Sequence, residues 1–268
     1  MIENNQAFAS QDVITQQKKD FYNKHPEFIW KIYEHQVFEL VQLNTALDFF
    51  INTQNGPDVD DYVLNDSSRF VSLKDQFKNK DVLIIGTGTG REMVFAKAYE
   101  ANRVEGVTMG ARNQMFAQEV VGVKPLIADM HMLPWDKNIF DMVIGLQVLE
   151  HSYAPIIFLL ECNRVLRTNG ILHIETPPSK THAFDTWLHH ILCPTPRQLF
   201  CLLIKTGFKP LEYNGIDLCS VKPEDDTNWF DDVSDNVYIK AQKMDPATYE
   251  RGDMRRYYEM LSGKPFQF

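Results

Sequence analysis

Paired cysteines, long apolar runs and an excess of basic charge are all missing from this chain, and each absence removes a class of function. The four cysteines, Cys162, Cys193, Cys201 and Cys219, form no CxxC pair and have no histidine at zinc-ligand spacing. Neither a disulfide framework nor a structural zinc site is expected; they read as reduced thiols, and no metal ligands are assigned. Nowhere do about 18 apolar residues run together, and the stretch MIENNQAFASQDVITQQKKD has no basic start and no apolar core. The expectation is therefore no membrane span, no export signal and a cytoplasmic location. Acidic side chains outnumber basic ones by 36 to 27, a formal net charge of −9 that repels a phosphate backbone. Nucleic acid is not expected as a substrate.

What remains is ordinary for a folded globular protein. Of 268 residues, 44% are hydrophobic and 24% charged, enough to bury a sizeable core. Between Pro26 and Ile51, Ile29, Tyr33, Val37, Leu40 and Leu47 recur at helical spacing, with Pro26 placed near a helix start. The stretch 52–68 is rich in Asn, Asp, Gly and Pro and reads as a linker, so residues 1–68 form an N-terminal helical cap with its linker. Phe21, Tyr22, Phe28, Trp30 and Tyr33 give that cap an aromatic surface, suited either to packing or to the wall of a pocket for a partly apolar or aromatic ligand.

Beyond the linker, short β-branched runs alternate with helix-length connections: VLII at 82–85, RVEGV at 103–107, PLIA at 125–128, FDMVIGL at 140–146 and ILHIET at 171–176. Such alternation predicts a parallel sheet covered on both faces. A helix follows at about 196–205, then strands near 209–213 and 236–241. The acidic connection carrying Glu224, Asp225, Asp226, Asp231, Asp232 and Asp235 reads as a solvated loop, and residues 246–268 as a tail.

The first strand runs into a glycine-rich turn, DVLIIGTGTG at 81–90, and then into a helix beginning near Arg91. Glycines permit the tight turn and a close backbone approach to a ligand, and the helix start offers unpaired N–H groups. A GxGxG of this kind suits a nucleotide-type ligand or an ordinary tight turn. The second strand ends at Thr108, where a dinucleotide-binding fold would carry an acid against the ribose.

The stretch PLIADMHMLPWDKNIFDMVIGLQVLEHSYAPIIFLLECNRVLRTNGILHIETPP, 125–178, closely resembles the class I S-adenosylmethionine-dependent methyltransferases, whose chains read approximately D-A-x-x-L-P-F, F-D-x-V, V-L-E-H and R-V-L-K-x-G-G in that order. HHILCPTPRQLFCLLIKTGF, 189–208, resembles the family's downstream H-x(n)-T-P-x-x-L-x-x-L-L-x-x-x-G-F segment. The resemblance implies a Rossmann-like, mostly parallel seven-stranded sheet with helices on both faces. The S-adenosylmethionine-binding domain would span 69–245, with an acceptor-pocket lid around 178–196. It further implies that Gly86, Thr87, Gly88 and Gly90 cradle the methionine portion, Thr108 and Met109 lie at the ribose, Asp129 accepts from the adenine amino group, Met130 flanks the ring, and Gln147 lies near the transferring methyl. Two positions depart from the pattern: Ile84 and Thr108 stand where the family commonly has acids. Glu92 is placed to restore a carboxylate near the methionine amino group, or simply to favour the helix dipole.

Methyl transfer from a sulfonium is an in-line displacement that demands alignment and exclusion of water rather than a nucleophilic side chain. For a hydroxyl acceptor a histidine base is the natural aid. By the resemblance His189 and His190 lie near the acceptor pocket with Phe184, Trp187 and Leu188, and they suit either a base or a solvated lid pair. His151 closes the V-L-E-H block at the mouth of the site, where structural and catalytic roles are both open. His131 and His173 receive no role. The expected activity is methylation of a small molecule at oxygen; a catalytically silent S-adenosylmethionine-binding partner protein is the alternative kept open by Ile84 and Thr108.

Overall fold

The computed structural model describes residues 72–88, 90–179, 190–220 and 236–244. The cap and linker, the helix of 26–51, Phe184, Trp187, Leu188, His189, the acidic connection and the tail lie outside these described residues. Eight strands are present among them: β1 (Asp81–Ile85), β2 (Arg103–Thr108), β3 (Leu126–Ile127), β4 (Phe140–Leu146), β5 (Leu166–Thr176), β6 (Phe208–Tyr213), β7 (Ile216–Asp217) and β8 (Val237–Lys243). Four α-helices accompany them: α1 (Arg91–Ala98), α2 (Ala111–Phe116), α3 (Pro155–Val165) and α4 (Pro196–Lys205). The chain divides into two compact units, one formed by residues 72–80 with 87–127 and the other by 81–86 with the described residues after 127.

In the first unit β2 and β3 pair in parallel, Val107 opposite Leu126 and Thr108 opposite Ile127. Between them α2 runs into a π-helical turn, Ala117–Val121, which ends at Gly122 with φ 79. Gly106 has no room for a side chain: a Cβ there would stand 2.5 Å from both Met93 Sδ and Thr87 Cγ2.

The second unit holds the strand order β1-β4-β5-β8-β6-β7. β1 and β4 are parallel, as are β4 and β5, with Leu83 opposite Val143 and Val143 opposite Leu172. The centres of these three strands are mostly apolar because both of their faces are buried; Val82, Leu83, Val143, Ile144, Leu172 and Ile174 have almost no exposed surface. At their amino ends Arg167 binds Asp81 and Asp141 at 2.8 and 2.7 Å. The Asp141 carboxylate also accepts the Asp81 N–H at 2.8 Å. That clamp ties three neighbouring strand starts to one cation and leaves the carboxyl ends for the loops.

The sheet then turns antiparallel, β8 running against both β5 and β6. The eighth strand, beyond the expected seven, is β7. Asn214 and Gly215, both at positive φ (44 and 87), fold it back on β6 in the Asn-Gly hairpin turn whose twist matches the strands. β5 also begins five residues earlier than the apolar run at 171 suggests, because α3 passes into it without a loop. At the start of α4, Thr195 accepts the Gln198 N–H while the Gln198 side chain accepts the Thr195 N–H, with Pro196 at the first helical position. Among the described residues no helix is long and apolar enough to cross a membrane.

Candidate functional site

Loops at the carboxyl ends of β1, β4 and β5 carry most of the candidate residues, which is where parallel α/β sheets receive ligands. Gly86 leaves β1 with φ 73, and a Cβ on it would stand 2.3 Å from Val148 Cγ2, so the backbone passes closer to the turn after β4 than any other residue type permits. Thr87 is buried; its N–H donates to Val107 O at 3.0 Å, while its hydroxyl Oγ1 has no hydrogen-bond partner among the described residues. Gly88 (φ 50) and Gly90 (φ 90) complete the turn. At Gly90 a Cβ would meet Val123 Cγ2 at 2.6 Å and Ala117 Cβ at 2.9 Å. Gly88 and Gly90 at positive φ bend the backbone beside the buried Thr87 Oγ1, which has no partner among the described residues, and this orphaned hydroxyl in a glycine-rich turn fits a cofactor's polar end. Glu92 lies in the first turn of α1, and burial raises its carboxyl above the usual carboxylate range.

The other strand end in that unit is Thr108, which is buried; its Oγ1 accepts the Gly110 N–H at 3.3 Å. Met109 beside it is exposed, and Ile84 is a core residue of β1.

Asp129 forms a turn in which Oδ1 accepts the His131 N–H at 2.8 Å and pairs with His131 Nδ1 at 2.7 Å. The backbone bond first, then the side-chain bond, holds the Asp129 carboxyl below its usual range. Oδ2 takes no hydrogen bond from a described residue. His131, given no role from sequence, reaches on through Nε2 to the buried Ser152 hydroxyl at 2.7 Å. It therefore fastens the Asp129 loop to the segment after β4. Met130 is buried. The same loop is held from behind by Arg164 on α3, which donates to Leu133 O at 2.9 Å and Trp135 O at 2.6 Å while paired to Glu161. The ADMHMLPW and NRVL blocks are thus one physical unit, a carbonyl-lined loop and the guanidinium that fills it.

Gln147 ends β4 in the left-handed region (φ 56), strained for a residue with a side chain. Its N–H donates to Glu175 O at 2.8 Å and its Nε2 to Glu175 Oε1 at 3.1 Å, and Asn236 donates to the same oxygen at 3.2 Å. Strain at the end of a central strand is overcome by bonds to the neighbouring strand.

The residue that sequence reasoning passed over is Glu150. It is 1% exposed, and its Oε2 is buried without a hydrogen-bond partner among the described residues. Burial first, then the Glu175 charge, pushes its carboxyl up to about 8. His151 Nε2 stands 3.9 Å from Glu150 Oε1. The His190 ring meets the His151 ring edge to face at 5.1 Å, and its Nδ1 lies 4.0 Å from Cys193 Sγ. Backbone bonds hold the two segments together: the Ile191 and Leu192 N–H groups both donate to Glu150 O, at 2.6 and 3.2 Å. Two of the three candidate catalytic histidines are therefore in contact. The only sequence signal for Glu150 was an acid in an otherwise apolar turn.

Residues 83–174 match the family model described as a methyltransferase domain. A tRNA U34 carboxymethyltransferase from Shewanella loihica is 27% identical over 179 residues, covering 59% of this chain and 52% of the relative. A Mycobacterium tuberculosis chain, assigned by its name to the S-adenosylmethionine-dependent methyltransferases, is 33% identical over 98 residues, covering 35% and 36%. The matches thus span about half the length of the first relative and less of the second. Among solved structures, the (4+2)-cyclase SpnF superposes with a TM-score of 0.52 at 20% identity, over 66% of this chain and 80% of its own. That likeness shows the Rossmann-like fold.

Proposed function

We propose, from the match of residues 83–174 to a methyltransferase-domain family model, that the chain is a class I S-adenosylmethionine-dependent methyltransferase that methylates a small, partly apolar or aromatic acceptor at oxygen, with S-adenosylhomocysteine as the product. The observation that carries this reading is the convergence of His151, His190 and buried Glu150 on the turn directly after β4. When bound, S-adenosylmethionine supplies a methyl carbon already activated on a sulfonium. The protein's share is binding, alignment and the acceptor's proton. Gly86, Thr87, Gly88 and Gly90 would hold the methionine portion, with Glu92 and Gln147 nearby. Asp129 would accept the adenine amino group through Oδ2, Met130 and Met109 would flank the nucleoside, and Thr108 would serve the ribose. His190, with His151 against it and His189 beside it in sequence, is the base that takes the hydroxyl proton.

The relatives named for tRNA act on a nucleic acid, whereas the net charge of −9 supports a small acceptor here. The reading is tested by incubating the full chain with methyl-labelled S-adenosylmethionine and either hydroxylated small molecules or bulk tRNA. Label in the small-molecule fraction supports it; label only in tRNA overturns it. S-adenosylhomocysteine binding with no transfer to either fraction would favour the silent binding protein that Ile84 and Thr108 suggest.

A further inference from the structure

We propose that Glu150, His151 and His190 bind one divalent metal ion of borderline softness, in the class of Zn²⁺ and Co²⁺, whose open positions receive an oxygen of the acceptor. One ligand atom from each residue lies within 4.8 Å of the other two. Ligands about 2.1 Å from one ion stand about 3.4 Å apart in a tetrahedral shell, so closing the shell draws the widest pair together by up to roughly 1.4 Å, a movement that side-chain rotation supplies.

Three features make this more than a chance grouping. First, the Glu150 side chain is buried while Oε2 has no hydrogen-bond partner among the described residues. A buried carboxyl oxygen is normally hydrogen-bonded or bound to a metal, because without a partner it has lost its water and gained nothing in return. His151 does not satisfy it, since 3.9 Å is too long for a hydrogen bond. Second, the geometry is held by backbone, because the N–H groups of Ile191 and Leu192 bond to the carbonyl of Glu150 itself and so fix the segment bearing His190 against the turn bearing Glu150 and His151. Third, two imidazoles with one carboxylate form a mixed nitrogen and oxygen donor set, which suits such ions and with three protein ligands leaves positions for water or substrate. An oxygen bound there loses its proton more readily, as water does on zinc; with the ion in place the His190 imidazole is a ligand rather than the base, and the proton passes to solvent. The oxygen's role rests on the proposed methyl transfer; ion binding itself does not.

The test uses the tag-free full chain, stripped with chelator and titrated with Co²⁺ followed by visible absorption. Zn²⁺ displacement and calorimetry give stoichiometry, and S-adenosylhomocysteine affinity is measured on the same samples. One Co²⁺ per chain, displaced by Zn²⁺ and weakened at least tenfold in both Glu150→Gln and His190→Ala, is the expected result. Absence of Co²⁺ and Zn²⁺ binding in the wild type overturns the site, and so does undiminished binding in both variants. Retained S-adenosylhomocysteine affinity shows that a variant is folded. A chain that binds metal as expected but not S-adenosylhomocysteine leaves the ion site standing and defeats the methyltransferase reading instead.

Discussion

The imidazoles of His151 and His190 meet edge to face with ring centroids 5.1 Å apart, although the residues belong to segments separated by a helix and a strand. This contact puts a base candidate beside a second ring that limits its rotation. His190→Ala is expected to lower kcat by roughly 100- to 10,000-fold while leaving S-adenosylhomocysteine affinity intact. Steady-state kinetics together with calorimetry check the separation. A variant as active as the wild type would remove His190 from the chemistry.

Asp129→Ala is expected to weaken S-adenosylhomocysteine binding by about 1–3 kcal/mol, the cost of leaving the ligand's amino group without its charged hydrogen-bond acceptor. His131→Ala should lower affinity by less, because it releases the loop without removing the acceptor that Oδ2 offers. Calorimetry on both variants ranks the two effects, and the reverse order would show that the loop's position outweighs the carboxylate.

Gly86→Ala should destabilise the fold and weaken cofactor binding together. The new methyl meets Val148 Cγ2 at 2.3 Å and φ is 73, so overpacking and left-handed strain add to about 1–3 kcal/mol or more. Val148→Ala added to Gly86→Ala removes the clash and keeps the strain. Thermal melts of the single and double variants should therefore show partial recovery.

His173 is fully buried, stacks on Tyr238 and bonds its hydroxyl at 2.7 Å through Nδ1. Burial first, then the Lys240 charge, lowers its pKa from 6.5 to about 3. The folded ring thus stays neutral where the unfolded one takes up a proton. Its contribution is fully present above about pH 6.5 and is lost as pH falls from there toward 3, by up to roughly 1.4 kcal/mol per pH unit. Urea unfolding across that window should show this slope, and His173→Gln should flatten it.

Much of this was legible in the chain. The apolar runs announced β1, β4 and the buried part of β5, because strands covered on both faces are mostly apolar. A helix was read at about 196–205, which is where α4 lies, and the glycines at 86, 88 and 90 lie at positive φ. These are local matters, decided by backbone sterics and by the hydrogen-bonding needs of helix ends.

Other features required the fold. His131, given no role from the sequence, meets Ser152 through its Nε2, and Arg164 donates to the carbonyls of Leu133 and Trp135, contacts between residues far apart in the chain. Above all, the sequence by itself determined that an acid and a histidine follow β4 and that another histidine precedes α4. Only the tertiary structure decided that Glu150 is buried with an unpartnered oxygen and that His190 lies against His151. The physical reason is that burial and mutual distance depend on which distant backbone donors reach the Glu150 carbonyl, here Ile191 and Leu192, and no local pattern of residue types encodes that choice.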